Sequence, residues 1–200
     1  MFERETLEVY KYCDIRSFPI DCDKIIKRLG YKVVTYQEYA QGDRTRLIKL
    51  MKVSNDAFIV RQERTLYLNS NTDRRRQRFT KCHEIGHIVL LTDSEEEADM
   101  FAASILAPLI MVKKSHPFNV DGICRNFDIS VAMANRTIRE AMDYFFFQPG
   151  AREIFEYFAQ FKKKKEEKKR RVKSEFVWDD YPNNWNEVML IKRDMELYGD

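Results

Sequence analysis

The 200-residue sequence lacks the features that would carry it across a membrane or staple it with disulfides. Its longest apolar stretches, "HIVLL" and "MFAASILAPLIMV", are too short or too mixed for a bilayer-spanning helix, which needs about 20 apolar residues. The first residues, "MFERETLEVYKYCDIRS", are charged where a secretory leader needs an apolar centre, so a cytoplasmic location and no membrane partner are expected. Cysteine is scarce. Cys13, Cys22, Cys82 and Cys124 stand far apart with no C-x-x-C pair, which points to buried free thiols in a reducing compartment. Histidine is scarcer still, with three in the chain, and no internal repeat is visible.

What is present suffices for a core. Hydrophobic residues make up 44% of the chain, enough for one domain, expected over residues 1–150, with an appended basic helical tail over 151–200 whose role is open. The net charge of +3 is unevenly spread. Residues 162–173, "KKKKEEKKRRVK", hold nine basic and two acidic side chains, +7 in all, which leaves −4 for the rest. Such a block is first a solvated helix face or a connector, and only second a contact for nucleic acid or an acidic partner. Trp178 and Trp185 follow it, either folding back on the domain or meeting a partner.

Along the chain, Asp21 or Asp23 can cap a helix through "KIIKRLG" that ends at Gly30, and "YKVVTY" then reads as a strand. "DAFIVRQ" and "TLYLNSN" read as two more, close enough for a hairpin. From Asp73 the pattern turns helical: one helix over the histidines, one from about Glu95 to Ile105, and others near 121–147 and 151–171, interrupted at Pro108 and Pro149. Helix, sheet, then helices predicts an α+β domain with a small antiparallel or mixed sheet and a helical C-terminal half.

The chemistry concentrates in "RFTKCHEIGHIVLL", residues 78–91. On a helix, positions i and i+4 share a face with Cβ atoms about 5–6 Å apart, so the imidazoles of His83 and His87 can converge on one ion. Glu84 lies one step round the helix, placed to act on a metal-bound water as a base without ligating the metal, the H-E-x-x-H arrangement of metal-dependent peptidases. With so few histidines, chance placement of this pattern is rare, and a metal pair is preferred to two hydrogen-bonded core histidines. A hydrolytic zinc site wants a third protein ligand and one open position. In "DSEEEADMFAASILAP", Ser94 and Glu97 form an S-x-x-E capping box, which gives Glu97 a structural task. Glu95 shares a stripe with Ala98, Ala102 and Ile105, facing the first helix where Gly86 permits close approach. Glu95 is therefore the expected third ligand, with Glu96 the alternative if the helix starts one residue later. Asp99, four residues after Glu95, can accept the second N–H of a ligating histidine. Cys82 points away and reads as packing, and His116 reads as an exposed loop residue.

These residues resemble the ImmA/IrrE family of metallopeptidases. "RFTKCHEIGHIVLL" followed by "EEEADMFAASILAP" is similar to the family's pairing of R-F-T-x-x-H-E-x-G-H with E-x-E-A-(N/D)-x-F-A-A-x-x-L-x-P, and weaker likeness extends over about residues 20–145. This chain has "LAP" where many members have L-M-P, and its tail has no counterpart. The resemblance implies a gluzincin-like site with His83, His87 and Glu95 on zinc, Glu84 as base and Asp99 supporting a ligand. It also implies a substrate class: helix-turn-helix repressors, commonly of phages and mobile elements, cut to release transcription. The N/O ligand set fits zinc and also admits manganese or iron. Tyr67 and His116 are conceivable donors to the oxyanion, and spacing selects neither.

Two other readings compete with the peptidase. "ICRNFDISVAMANRTIREAM" has the look of two helices joined by a short turn, so Arg125, Arg136, Arg139 and the basic run offer a DNA-binding regulator, although helix pairs of this kind are common packing units. A partner-binding regulator with a non-catalytic metal site is the third, and Glu84 argues against it. "RRRQR" (74–78) reads as solvated first turns of the metal helix. The aromatics of "YFFFQ" and "IFEYFAQF" read as core. With fewer than 21 residues ahead of the first capped helix, the domain is expected to stand alone, without a fused DNA-binding module. Its oligomeric state is not encoded in any pattern seen here.

Overall fold

The computed structural model describes residues 2–143 and 150–175, the side chains of 169–175 excepted. "YFFFQ", Pro149 and the segment with Trp178 and Trp185 lie outside the described residues. Two compact units are distinguished, Met1–Phe161 and Lys162–Asp200.

In the first unit, α1 (Glu3–Tyr12) and α2 (Cys22–Arg28) precede the sheet. The Asp21 carboxylate caps α2 by accepting from Lys24 N at 2.9 Å, and Gly30 beyond its end adopts φ +82°, a conformation open to glycine at little cost. Strand β1 (Lys32–Thr35) leads through a Thr35/Glu38 capping box into α3 (Tyr36–Ala40), and α4 (Arg44–Val53) returns the chain to the hairpin β2 (Ala57–Val60) and β3 (Thr65–Leu68). The strand order is β1-β3-β2, with β1 parallel and β2 antiparallel to β3, so the expected small sheet is mixed. β3, in the middle, is buried along its whole length.

Strand alternation divides the sheet into two faces. Leu66, Leu68 and Ala57 turn toward the main core, while Tyr67 joins Tyr36 and Leu50 in a small cluster on the other face, with Phe58 stacked on Tyr67 at 5.2 Å. The main core is helical. α5 (Arg74–Val89), α6 (Glu95–Leu106), α7 (Leu109–Lys113), α8 (Val120–Phe127) and the first turns of α10 (Ala151–Glu175) contribute Ile85, Phe101, Ile105, Ile110, Ile123 and Ile154, each almost fully buried, and α9 (Val131–Met142) packs on them through the small Ala134 and Ala141. Each such large side chain stabilises the fold by about 1.5–3 kcal/mol. The four cysteines are buried free thiols, with Cys22 and Cys82 touching at 3.5 Å.

The sequence reading left the first twenty residues without an element. They form α1 and a covering loop, because Leu7, Val9 and Tyr10 share an apolar stripe among many charges and the Tyr10 hydroxyl reaches the Ile105 carbonyl at 2.6 Å. α3, α4 and α7 also lie outside the elements expected from sequence: two are five residues long, too short to show periodicity, and Pro108, expected only to interrupt the pattern, stands at the N-cap of α7. Phe158 packs on Tyr10 at 5.1 Å between ring centres, and Tyr157 donates to the Tyr10 carbonyl at 3.1 Å, so these two meet the core as expected, while Phe155 of the same stretch is exposed. "RRRQR" is exposed at Arg74 and Arg76, as expected of solvated first turns, and is paired besides. Arg76 forms a two-point pair with Asp56, and Arg74, Arg75 and Arg78 surround Asp128. Such pairs join segments 20 to 54 residues apart and leave no trace in local sequence.

In the second unit the helix continues as far as Glu175, and the side chains of residues 162–168 are exposed. Among the described residues no helix is long and apolar enough to cross a membrane.

Candidate metal centre

α5 begins at Asp73, whose carboxylate accepts from Arg75 N and Arg76 N, and then runs for 16 residues, long enough to carry the whole H-E-x-x-H stretch on regular helix. His83 and His87 therefore stand one turn apart with ring centres 4.8 Å from one another. α6 starts where Ser94 accepts from Glu97 N at 3.3 Å. Only half of the expected capping box forms, because the Glu97 carboxylate turns to the Thr92 hydroxyl instead. The register of α6 is still the one this cap sets. Ala98, Ala102 and Ile105 are fully buried, and a Cβ built on Gly86 would lie 3.1 Å from Ala98 Cα, so the two helices meet at the closest distance a glycine allows.

That contact places Glu95 over the histidines. Glu95 Oε2 lies 3.1 Å from His83 Nε2, Glu95 Oε1 lies 3.6 Å from His87 Nε2, and the two Nε2 atoms are 3.1 Å apart. Glu96 is exposed and makes no contact with them. His83 Nδ1 bonds Asp99 Oδ1 at 2.7 Å, and His87 Nδ1 bonds the Thr92 carbonyl at 2.9 Å. Sequence reasoning reached Asp99 by its spacing. It missed Thr92, whose contribution is a backbone oxygen that no residue type announces. Arg61, at the end of the β2 hairpin, was missed too; it donates to the His87 carbonyl at 3.3 Å and pairs with Asp93, steadying the loop that carries Thr92.

The donor set accommodates a cation. A carbonyl oxygen only accepts, so His87 carries its proton on Nδ1, and the Asp99 carboxylate draws the proton of His83 to Nδ1 in the same way. Both neutral rings then turn Nε2 lone pairs toward one another, an arrangement that repels unless a positive ion lies between them. A tetrahedral centre with bonds of about 2.0–2.1 Å has ligand atoms about 3.3 Å apart. The separations of 3.1, 3.1 and 3.6 Å bracket that edge. Two imidazoles and one carboxylate make a ligand set with room for a fourth, exchangeable position, and His83, His87 and Glu95 form the group of convergent donors among the described residues.

Glu84 lies on the same helix between the two histidines in sequence and is buried, with 8% of its surface exposed. Burial pushes its carboxyl above the ordinary range, aided by Glu95 and opposed by the two imidazoles. A carboxylate of raised proton affinity is the better proton acceptor near neutral pH. Cys82 faces Cys22, away from this cluster. His116 is exposed and stands apart from it. Tyr67 donates its hydroxyl to Glu63 at 2.9 Å from the small cluster on the far sheet face. Of the arginines offered for nucleic acid, Arg136 is paired with Glu140 at 2.8 Å, while Arg125 and Arg139 are exposed.

A mostly helical fold with a small mixed sheet, an H-E-x-x-H helix and a glutamate from the next helix defines the class: a metallopeptidase. Residues 40–139, half of the chain, match the family described as the IrrE N-terminal-like domain, Peptidase_M78, and the chain belongs to that ImmA/IrrE family. Both site helices lie inside the matched segment. No curated protein matches the chain.

Proposed function

We propose that the protein is a zinc-dependent endopeptidase that cuts a helix-turn-helix transcriptional repressor, of the kind phages and mobile elements carry, and so releases the genes it silences. The observation that carries the catalytic part is the convergence of His83 Nε2, His87 Nε2 and a Glu95 oxygen beside a buried Glu84. Family membership supports the peptidase reading, and the repressor as substrate class rests on the resemblance of the two motifs alone. His83, His87 and Glu95 would hold the metal, and zinc suits two imidazoles with one carboxylate. Bound there, zinc supplies Lewis acidity, which promotes ionisation of water and polarises a scissile carbonyl. Asp99 and the Thr92 carbonyl keep the imidazoles in the tautomer that leaves Nε2 free. Glu84 takes the proton of the attacking water and delivers it to the leaving amine nitrogen.

The test is incubation of the zinc-loaded protein with purified helix-turn-helix repressors encoded beside its gene, followed by intact-mass spectrometry. One discrete cut, abolished by a chelator and restored by zinc, is the expected result. Intact repressors with every candidate, while a generic unfolded substrate is cut, would remove the repressor from the reading and keep the peptidase.

A further inference from the structure

Beginning about 7 Å along α5 from His83, at Arg78, and reaching back to Arg74, the same helix takes part in a second constellation that the peptidase site does not use. Asp128, at the end of α8, is almost fully buried, and its carboxylate lies 2.6 Å from Arg74 Nη2, 3.2 Å from Arg78 Nε and 3.5 Å from Arg75 Nε. Its backbone carbonyl also accepts from Arg78 Nε at 3.2 Å. Beside it opens a cleft of about 380 Å³ lined by Arg74, Arg75, Arg78, Arg125 and Asp128, with Pro19 and Ile20 forming an apolar wall.

Structural bracing explains one arginine on Asp128, and two at most. Three guanidinium groups lie within 3.5 Å of one carboxylate and a fourth, that of Arg125, lines the same cleft, which leaves an excess of three positive charges there, unfavourable until an anion enters. Two arginines of the lining have donors to spare. Arg78 Nη2 is buried without a hydrogen-bond acceptor, an uncommon state for a charged donor. Arg125 lines the cleft, exposed, with no hydrogen bond or ion pair among the described residues. Arg75 has only its 3.5 Å approach to Asp128 and is free to turn. Planar guanidinium forks match the oxygens of a phosphate two at a time, which a cluster of lysines would not.

We propose that this cleft binds a phosphate group, with Arg75, Arg78 and Arg125 as its donors and Arg74 holding Asp128 aside. The phosphate belongs either to a free ligand such as a nucleotide or to a phosphodiester of a nucleic acid. The site stands independently of the peptidase reading.

Calorimetric titration of the full chain with inorganic phosphate, at constant ionic strength in chloride, tests it. One saturable site is expected, weakened about tenfold in Arg125→Ala, the loss of one charge-assisted contact, and partly recovered in Arg125→Lys. Arg125→Ala should unfold at the wild-type temperature, because its side chain is exposed and unpartnered. Competition separates the sources. Displacement of phosphate by a nucleoside monophosphate alone identifies a free ligand, and displacement by duplex DNA with a steep salt dependence identifies a nucleic-acid backbone. Absence of saturable phosphate binding, or binding as strong in Arg75→Ala and Arg125→Ala as in wild type, overturns the proposal and assigns any attraction to the basic run at 162–173.

Discussion

Asp99 holds His83 by its Nδ1 at 2.7 Å, and the ring so oriented turns its Nε2 toward Glu95, 3.1 Å away. Asp99 is 55% exposed at its side chain, so its contribution is orientation and added basicity in the imidazole and owes little to burial. Asp99→Ala should weaken zinc binding by about 10–100-fold, and Asp99→Asn, which still accepts a hydrogen bond but has no charge, by less. Competition with a chromophoric chelator measures both. Equal losses in the two variants would mean that the charge is the whole effect, and an Asn variant that binds zinc like wild type would mean that orientation is.

Glu84 allows a sharper separation of binding from chemistry. Its carboxyl is buried and carries a raised proton affinity, so ionising it costs the folded state something. Glu84→Gln should therefore keep full zinc content, unfold no earlier than wild type, and lose about 10²–10⁴-fold in cleavage rate. Elemental mass spectrometry, thermal unfolding and a cleavage assay read the three quantities. Cleavage at an undiminished rate removes Glu84 as the base.

The three consecutive glutamates at the start of α6 have three different tasks. Glu95→Ala should lose more metal affinity than any Asp99 variant, because it removes a donor atom outright. Glu96→Ala should change neither metal content nor stability. Glu97→Ala should cost about 1 kcal/mol through the lost bond to the Thr92 hydroxyl, with metal binding affected only through the Thr92 carbonyl beside it. Metal retained in Glu95→Ala and lost in Glu96→Ala would place the helix register one residue off.

How much of this was legible depends on the range of each interaction. The i, i+4 histidines, the Ser94 cap, the buried stripe behind Glu95 and the permissive Gly86 all act within one turn or between adjacent helices, and spacing alone finds them. Asp21 and the β2–β3 hairpin were legible for the same reason. What stayed hidden acts at long range or through backbone. Tyr10 binds a carbonyl 95 residues away, Asp128 gathers arginines from more than 45 residues upstream, and Thr92 offers an oxygen that every residue has. The capping box was half wrong because Thr92 competes for the Glu97 carboxylate, a loop hydroxyl that the S-x-x-E pattern does not consider.

Asp56 and Arg76 give a pH dependence away from the metal. The Arg76 guanidinium, 2.7 Å from each carboxylate oxygen, holds the Asp56 carboxyl below its ordinary range. A carboxyl lowered by folding adds stability that is fully present above its unfolded value, about 3.9, and is lost as pH falls through the folded value. Arg76 is 62% exposed, so solvent screening limits the pair to about 0.5–1 kcal/mol. Asp56→Asn should be less stable by that amount at neutral pH, and denaturant titrations should show the gap closing in acid. A gap that persists below the folded value would show that the loss does not come from the ion pair.

Gly86 links packing to the candidate metal ligands. A methyl group there would meet Ala98 Cα at 3.1 Å and the Ala98 carbonyl at 3.2 Å. Both are backbone atoms, so no side chain can swing aside and α6 itself must move. Gly86→Ala would gain helix propensity of about 1 kcal/mol, and the forced displacement costs about 1–3 kcal/mol, so the net effect is destabilising or near neutral. The larger consequence concerns position. Glu95 lies three residues before Ala98 and Asp99 one residue after it, so any shift of α6 carries both away from His83. Gly86→Ala should therefore lose zinc affinity out of proportion to its stability. The purely structural comparison is Ala102→Val, farther along the same packed stripe, which crowds the core without touching a ligand. Should the two variants lose stability equally and both keep zinc, the close approach at Gly86 serves packing alone.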